Sequence, residues 1–192
     1  MKILYGSIGI LMTAMMPVSV SAQTDLSSDG EALGWLVRNC INSAAATNEM
    51  GTAISESAYS AQLQSHARND EGGMKVWSTS DNSVTVTEDK ARYLCAVRVS
   101  AGSPSMQRTA VKSTIATWYG GAEPVYSTSY PEKDSNQDVF CTDGSAFGSG
   151  WYLVLTTRMS ELSDARLTLS AMAGYVPDSC ASVTSKMGIP QG

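Results

Sequence analysis

Hydrophobic positions along the chain change period several times, and each change marks an element. After Ser28-Asp29-Gly30-Glu31, the residues Leu33, Leu36, Val37, Cys40, Ile41 and Ala44 recur at helical spacing on one narrow face. Ser28 followed three residues later by Glu31 is a capping-box pattern, so the spacing predicts a helix starting there and ending near Thr47. Trp35 lies about 200° around that helix from Leu33, off the apolar face. Across residues 48–72 the pattern is weaker. Ile54, Ala58, Ala61 and Leu63 predict a marginal helix through Arg68, broken by Asn69-Asp70-Glu71-Gly72-Gly73.

Beyond those glycines the period becomes two. Met74 to Thr79 and Ser83 to Thr87 alternate, with Asp81-Asn82 placed for a tight turn, and Arg92 to Val99 alternates again. This predicts an antiparallel meander. A second helix is expected from Pro104, suited to a first helical position, to a stop at Gly120-Gly121, with Ala110, Val111, Ile115 and Trp118 as its apolar face. Strands return at Pro124 to Tyr130, Val139 to Cys141, Trp151 to Arg158 and Arg166 to Tyr175, while the polar run Pro131 to Asp138 reads as an exposed loop.

A short self-similarity runs through this order. Gly72-Gly73 followed by Val76-Trp77-Ser78-Thr79-Ser80 recurs as Gly120-Gly121 followed by Val125-Tyr126-Ser127-Thr128-Ser129. It suggests a degenerate duplication of a helix–strand–strand unit, with pseudo-repeats at about 48–100 and 101–158 and an offset in the range of known repeats. Trp77 and Tyr126 then occupy equivalent places. They are core residues if a helix covers them, the favoured reading, and candidate partner-binding residues if they are exposed.

Composition adds the compartment. Lys2, the apolar run Ile3 to Met16 and the small-residue end Val20-Ser21-Ala22 have the form of a secretory signal peptide over 1–22, cleaved before Gln23. The remaining 23–192 reads as a single α+β domain carrying 12 basic and 18 acidic residues. A net charge of −6 argues against nucleic acid, whose affinity rests on basic groups. No membrane span is expected after cleavage. Cys40, Cys95, Cys141 and Cys180 are an even set, which in an exported chain predicts two disulfides. Of three connectivities, Cys40–Cys95 with Cys141–Cys180 keeps each bridge within one half.

Familiar chemistries find little footing. The nearest cysteines are 39 residues apart and His66 is the sole histidine, so no metal-site spacing exists and no cofactor is called for. CTDGSAFGSGW (141–151) lacks both the G-x-S-x-G frame and a Lys-Ser/Thr pair before a helix, and reads as a strand connection. His66, beside Arg68 and Asp70, is expected to be solvated. The acids, including Glu88-Asp89, are expected at turns, meeting water. No catalytic residue is assigned.

The reading is an antiparallel sheet with two main helices and two disulfides, serving as a non-catalytic binding module of the periplasm or exterior. Its partner would be a protein or envelope component. A metal-free hydrolase is the alternative, and a structural envelope protein the third reading. N-terminal sequencing of the exported protein is expected to begin at or within two residues of Gln23, whereas a soluble product retaining Met1 contradicts export.

Overall fold

The computed structural model describes residues 25–66, 73–119, 123–133, 135–143, 151–160 and 166–175, with residue 185. Among them, eight strands form one antiparallel sheet and three α-helices are present. The signal segment, Asp70, Gly120-Gly121, residues 144–150 and Cys180 lie outside the described residues.

Helix α1 spans Gly30–Ala44. Its N-cap is Asp29, whose carboxylate accepts from the amides of Glu31 (2.8 Å) and Ala32 (3.3 Å). The expected cap, Ser28, is instead part of the preceding turn, its amide donating to the Asp25 carbonyl at 3.0 Å. A carboxylate at this position also meets the positive end of the helix dipole. The short helix α2, Met50–Ser55, follows, and then strand β1, Gln64–His66. The marginal helix expected through Arg68 is thus replaced by one and a half turns and an edge strand. Four scattered apolar residues are too few to hold a long helix against a sheet that offers backbone partners.

The first meander is as predicted: β2 Met74–Ser78, β3 Val84–Asp89 and β4 Leu94–Val99. Helix α3 starts at Pro104 and runs to Tyr119. The second meander comprises β5 Tyr126–Tyr130, β6 Ser135–Asp143, β7 Trp151–Ser160 and β8 Leu167–Tyr175. Residues 135–138, expected in a loop, belong to β6. They pair with β5 on one side and β7 on the other, and Ser135 is buried opposite Tyr130.

Sheet order is β1-β2-β3-β4-β8-β7-β6-β5. Two four-stranded meanders therefore meet at their last strands, which pair antiparallel from Leu94↔Met172 to Val99↔Leu167. The Gly-Gly repeat does not follow this layout. Val76 lies in β2, the second strand of its meander, whereas Val125 is exposed just ahead of β5, the first strand of the other. Strand β1 was not legible in the sequence, and its presence shifts the strand count by one.

Both long helices lie on one face of the sheet. Leu33, Leu36, Val37, Cys40 and Ile41 of α1 pack with Cys95, Val97 and Val99 of β4 and with Leu167, Leu169 and Ala171 of β8 in one core. Trp35, off that face, is half-buried and tilted against Tyr59, with ring centroids 5.2 Å apart. Gly102 permits the loop before α3 to press on the N-terminal turn. Its φ is +87°, and a Cβ there would lie 2.0 Å from the Ser27 carbonyl oxygen.

Cys40 and Cys95 form a disulfide, with Cα atoms 5.3 Å apart, joining α1 to β4 as expected. No described cysteine is free, and the pairing expected between Cys141 and Cys180 extends outside the described residues. Chain-entropy reasoning over the 55-residue separation gives about 4 kcal/mol. Replacing Cys40 and Cys95 together by Ala is expected to lower stability by up to about that amount in urea melts; an unchanged midpoint contradicts it.

Candidate functional site

One row of paired residues crosses the helix-facing side of the sheet: Trp77, Val86, Val97, Leu169, Thr157, Asp138, Ser127. The row is apolar as far as Leu169 and polar beyond it. A second row, Val84, Val99, Leu167, Met159, Asn136, Ser129, ends the same way. A helix gains little by pressing on hydroxyls and carboxylates that keep their water. Accordingly α3 leans on α1 and makes its principal sheet contact with β7.

The space left beneath α3 is a hollow of about 400 Å³, within the size range of small-ligand sites. Val111 and Ile115 of α3 form its roof, and Phe140 and Met159 its floor. Lys112, Glu123, Ser127 and Asp138 supply polar groups at its margin, where the Ser127 hydroxyl donates to Asp138 at 2.6 Å. A neighbouring hollow shares Lys112, Ser127, Asp138 and Met159 and adds Arg108. Together they make a groove between α3 and strands β5 and β6, with cations on its helical wall and hydroxyls on its strand wall. Of its members, Val111 and Ile115 were legible as a helix face, but the groove depends on strand register.

The aromatic candidates separate. Trp77 is buried on the helix side, and a Cβ added at Gly51 of α2 would lie 3.2 Å from its ring. It is core. Tyr126 pairs with Val139 on the opposite face, half-buried against a small cluster of Val139, Val154 and Cys141. The two rings therefore share no surface, because Trp77 and Tyr126 belong to non-equivalent strands.

His66 is on an edge strand, not in a helix, and its Nε2 lies 2.6 Å from the Ser78 hydroxyl. Ser78 in turn donates to Asn82 Oδ1 at 3.0 Å. The Ser78 hydroxyl is thus shared between His66 and Asn82 in a small hydrogen-bonded chain at the sheet edge. Ser78 is also 2% exposed, leaving little room for a substrate carbonyl. Asp70, four residues beyond His66, lies outside the described residues.

Glu88 and Asp89 are buried, contrary to the expectation of turn acids. The alternation Val84, Val86, Glu88 carries Glu88 onto the core face, a signal present in the sequence. Its Oε1 accepts from the Ser43 hydroxyl (2.5 Å) and from the first amide of α2, Met50 N (2.9 Å). Glu88 thus locks the end of α1 and the start of α2 to β3. Asp89 caps the following 3₁₀ turn at the Arg92 amide. Among the described residues no cluster of His, Cys, Asp or Glu could hold a metal ion. The hairpin β6–β7 pairs as far as Asp143↔Tyr152, so CTDGSAFGSGW joins antiparallel neighbours.

No family model, curated protein or solved structure matches this chain.

The β2–β3 turn carries a measurable electrostatic signature. Asp81 accepts from the Thr79 hydroxyl (2.7 Å) and the Ser83 amide (3.0 Å), which hold its carboxyl down at about 2. Because the folded value lies below the ordinary one, the stabilisation is complete above about pH 5 and is lost as pH falls from about 4 toward 2. Protection of the β2 and β3 amides, taken relative to the intrinsic exchange rate at each pH, is expected to fall over that window, and less so in Asp81→Asn; identical profiles contradict the assignment.

Proposed function

We propose that this chain is an exported, non-catalytic binding protein that takes an apolar group of a protein or envelope component into the groove beneath α3. The observation that carries the reading is the hollow itself. A disulfide-tied α1 and a buried sheet centre hold one side, while a polar strand wall keeps α3 from closing the other. An apolar roof and floor give affinity, and Arg108, Lys112 and Asp138 at the margin give orientation. A site already shaped by its scaffold loses little entropy on binding.

Further features support the same setting. The Cys40–Cys95 bridge fits an oxidising compartment, and among the described residues no helix is long and apolar enough to cross a membrane. A second bridge, Cys141–Cys180, belongs to the same reading.

A second reading, a metal-free hydrolase, rests on the contact between His66 and Ser78. The burial of the Ser78 hydroxyl weighs against it.

Affinity capture from the envelope fraction of the producing cells, read by mass spectrometry, tests both. Ala116 is exposed on α3 at the mouth of the hollow, so Ala116→Trp is expected to block binding without altering the thermal melt. A component held by the native protein and by His66→Ala, but lost with Ala116→Trp, is the expected result. Equal capture by Ala116→Trp contradicts the groove. Turnover that vanishes in His66→Ala establishes the hydrolase instead.

A further inference from the structure

The eight-stranded sheet ends in two edges, β1 and β5. Exposed edges present unpaired amides and carbonyls that other strands can join, and proteins commonly blunt them. β1 is blunted by brevity, having three residues, all exposed. β5 is not. It has five residues, and among the described residues nothing pairs with its outer side. Pro124 and Pro131 bracket it, and as residues without an amide proton they confine any added pairing to the window 125–130.

Within that window the sequence is Tyr126-Ser127-Thr128-Ser129-Tyr130, a palindrome about Thr128. Antiparallel pairing of a strand with its own copy about a two-fold axis sets each residue opposite the one equidistant from the centre. For β5 this places Tyr126 opposite Tyr130 of the second copy, Ser127 opposite Ser129, and Thr128 opposite Thr128. Aromatic pairs and hydroxyl pairs directly opposite one another are among the favourable cross-strand combinations. Like charges, which would oppose self-pairing, are absent from all five positions.

The faces also agree. Tyr126, Thr128 and Tyr130 lie on the side away from the helices, and Ser127 and Ser129 on the helix side, as the pairing of β5 with β6 fixes. A two-fold axis perpendicular to the sheet keeps those sides in common. The rings would thus meet each other, and the serines each other, with both helical layers on the same side. Tyr130 is further steadied by the Arg158 guanidinium, 5.4 Å from its ring centre.

We propose that β5 is a self-pairing edge through which two copies of this chain form a two-fold dimer, one continuous sheet running through both. The proposal rests on the β5 edge and is independent of what the α3 groove binds. Since β5 is also the strand wall of that groove, the dimer brings its two grooves to either side of the junction.

Disulfide trapping reads the register directly. Residues directly opposite in antiparallel strands have Cα atoms about 4.5–5.5 Å apart, within disulfide reach. Under mild oxidation Thr128→Cys is expected to give a covalent dimer linked 128 to 128, with Cys40–Cys95 intact by peptide mapping. Ser127→Cys alone is expected to link roughly tenfold more slowly, since pairing raises the effective concentration of opposed thiols only. Mixing Ser127→Cys with Ser129→Cys is expected to restore fast linkage. Equal rates for Thr128→Cys and Ser127→Cys overturn the register. Sedimentation of the unaltered mature protein provides an independent check. A concentration-dependent dimer supports the proposal, and a monomer at every concentration up to about 1 mM overturns it.

Discussion

The apolar face of α1 lies over strands β4 and β8, which come from opposite halves of the chain and share six register pairs. That contact closes the molecule. Without a helix over the seam, Val97, Val99, Leu167 and Leu169 would face water, at about 25 cal/mol for each Å² of apolar surface uncovered. The Cys40–Cys95 bridge fastens the helix to one side of the seam, and the Glu88 carboxylate fastens its C-terminal end to β3. The first meander, the seam and α1 therefore form one well-filled unit.

The second half inherits the architecture but not the same filling. Leu169 is followed across the sheet by Thr157, Asp138 and Ser127 where the other direction offers Val97, Val86 and Trp77. On the face away from the helices the apolar character reappears at Val139, Val154 and Tyr126. This exchange of polarity between faces leaves α3 supported chiefly by α1 and opens the groove beneath it. The feature that gives the protein a binding surface is thus the same one that leaves this half less tightly packed.

The sequence made the local elements legible where short-range rules decide them. Pro104 marks the start of α3, Asp81-Asn82 forms the turn with Asn82 at a φ of +58°, and alternation places β2 through β4 and most of β7 and β8. The Cys40–Cys95 pairing was accessible because keeping each bridge within one half of the chain ties the first helix to the first meander. Long-range pairing was not accessible. Nothing local declares that Val97 lies beside Leu169, so the polarity gradient and the groove could not be seen. His66 was misplaced because three strand residues take their conformation from pairing with β2 rather than from their own pattern. Trp77 is core, the favoured reading, while Tyr126 lies on the other face of the sheet; an unseen strand made β2 and β5 look equivalent.

Packing in this molecule is asymmetric, with a rigid seam beneath α1 and a less supported α3 above the groove. Native-state hydrogen exchange resolved by residue measures it directly, because local opening free energies follow local packing. Amides of α1, β4 and β8 are expected to exchange only through global unfolding, and those in the middle of α3 through a smaller opening with a lower free energy. If α3 amides exchange as slowly as those of α1, with the same denaturant dependence, α3 is part of the rigid unit and the account of the groove is contradicted.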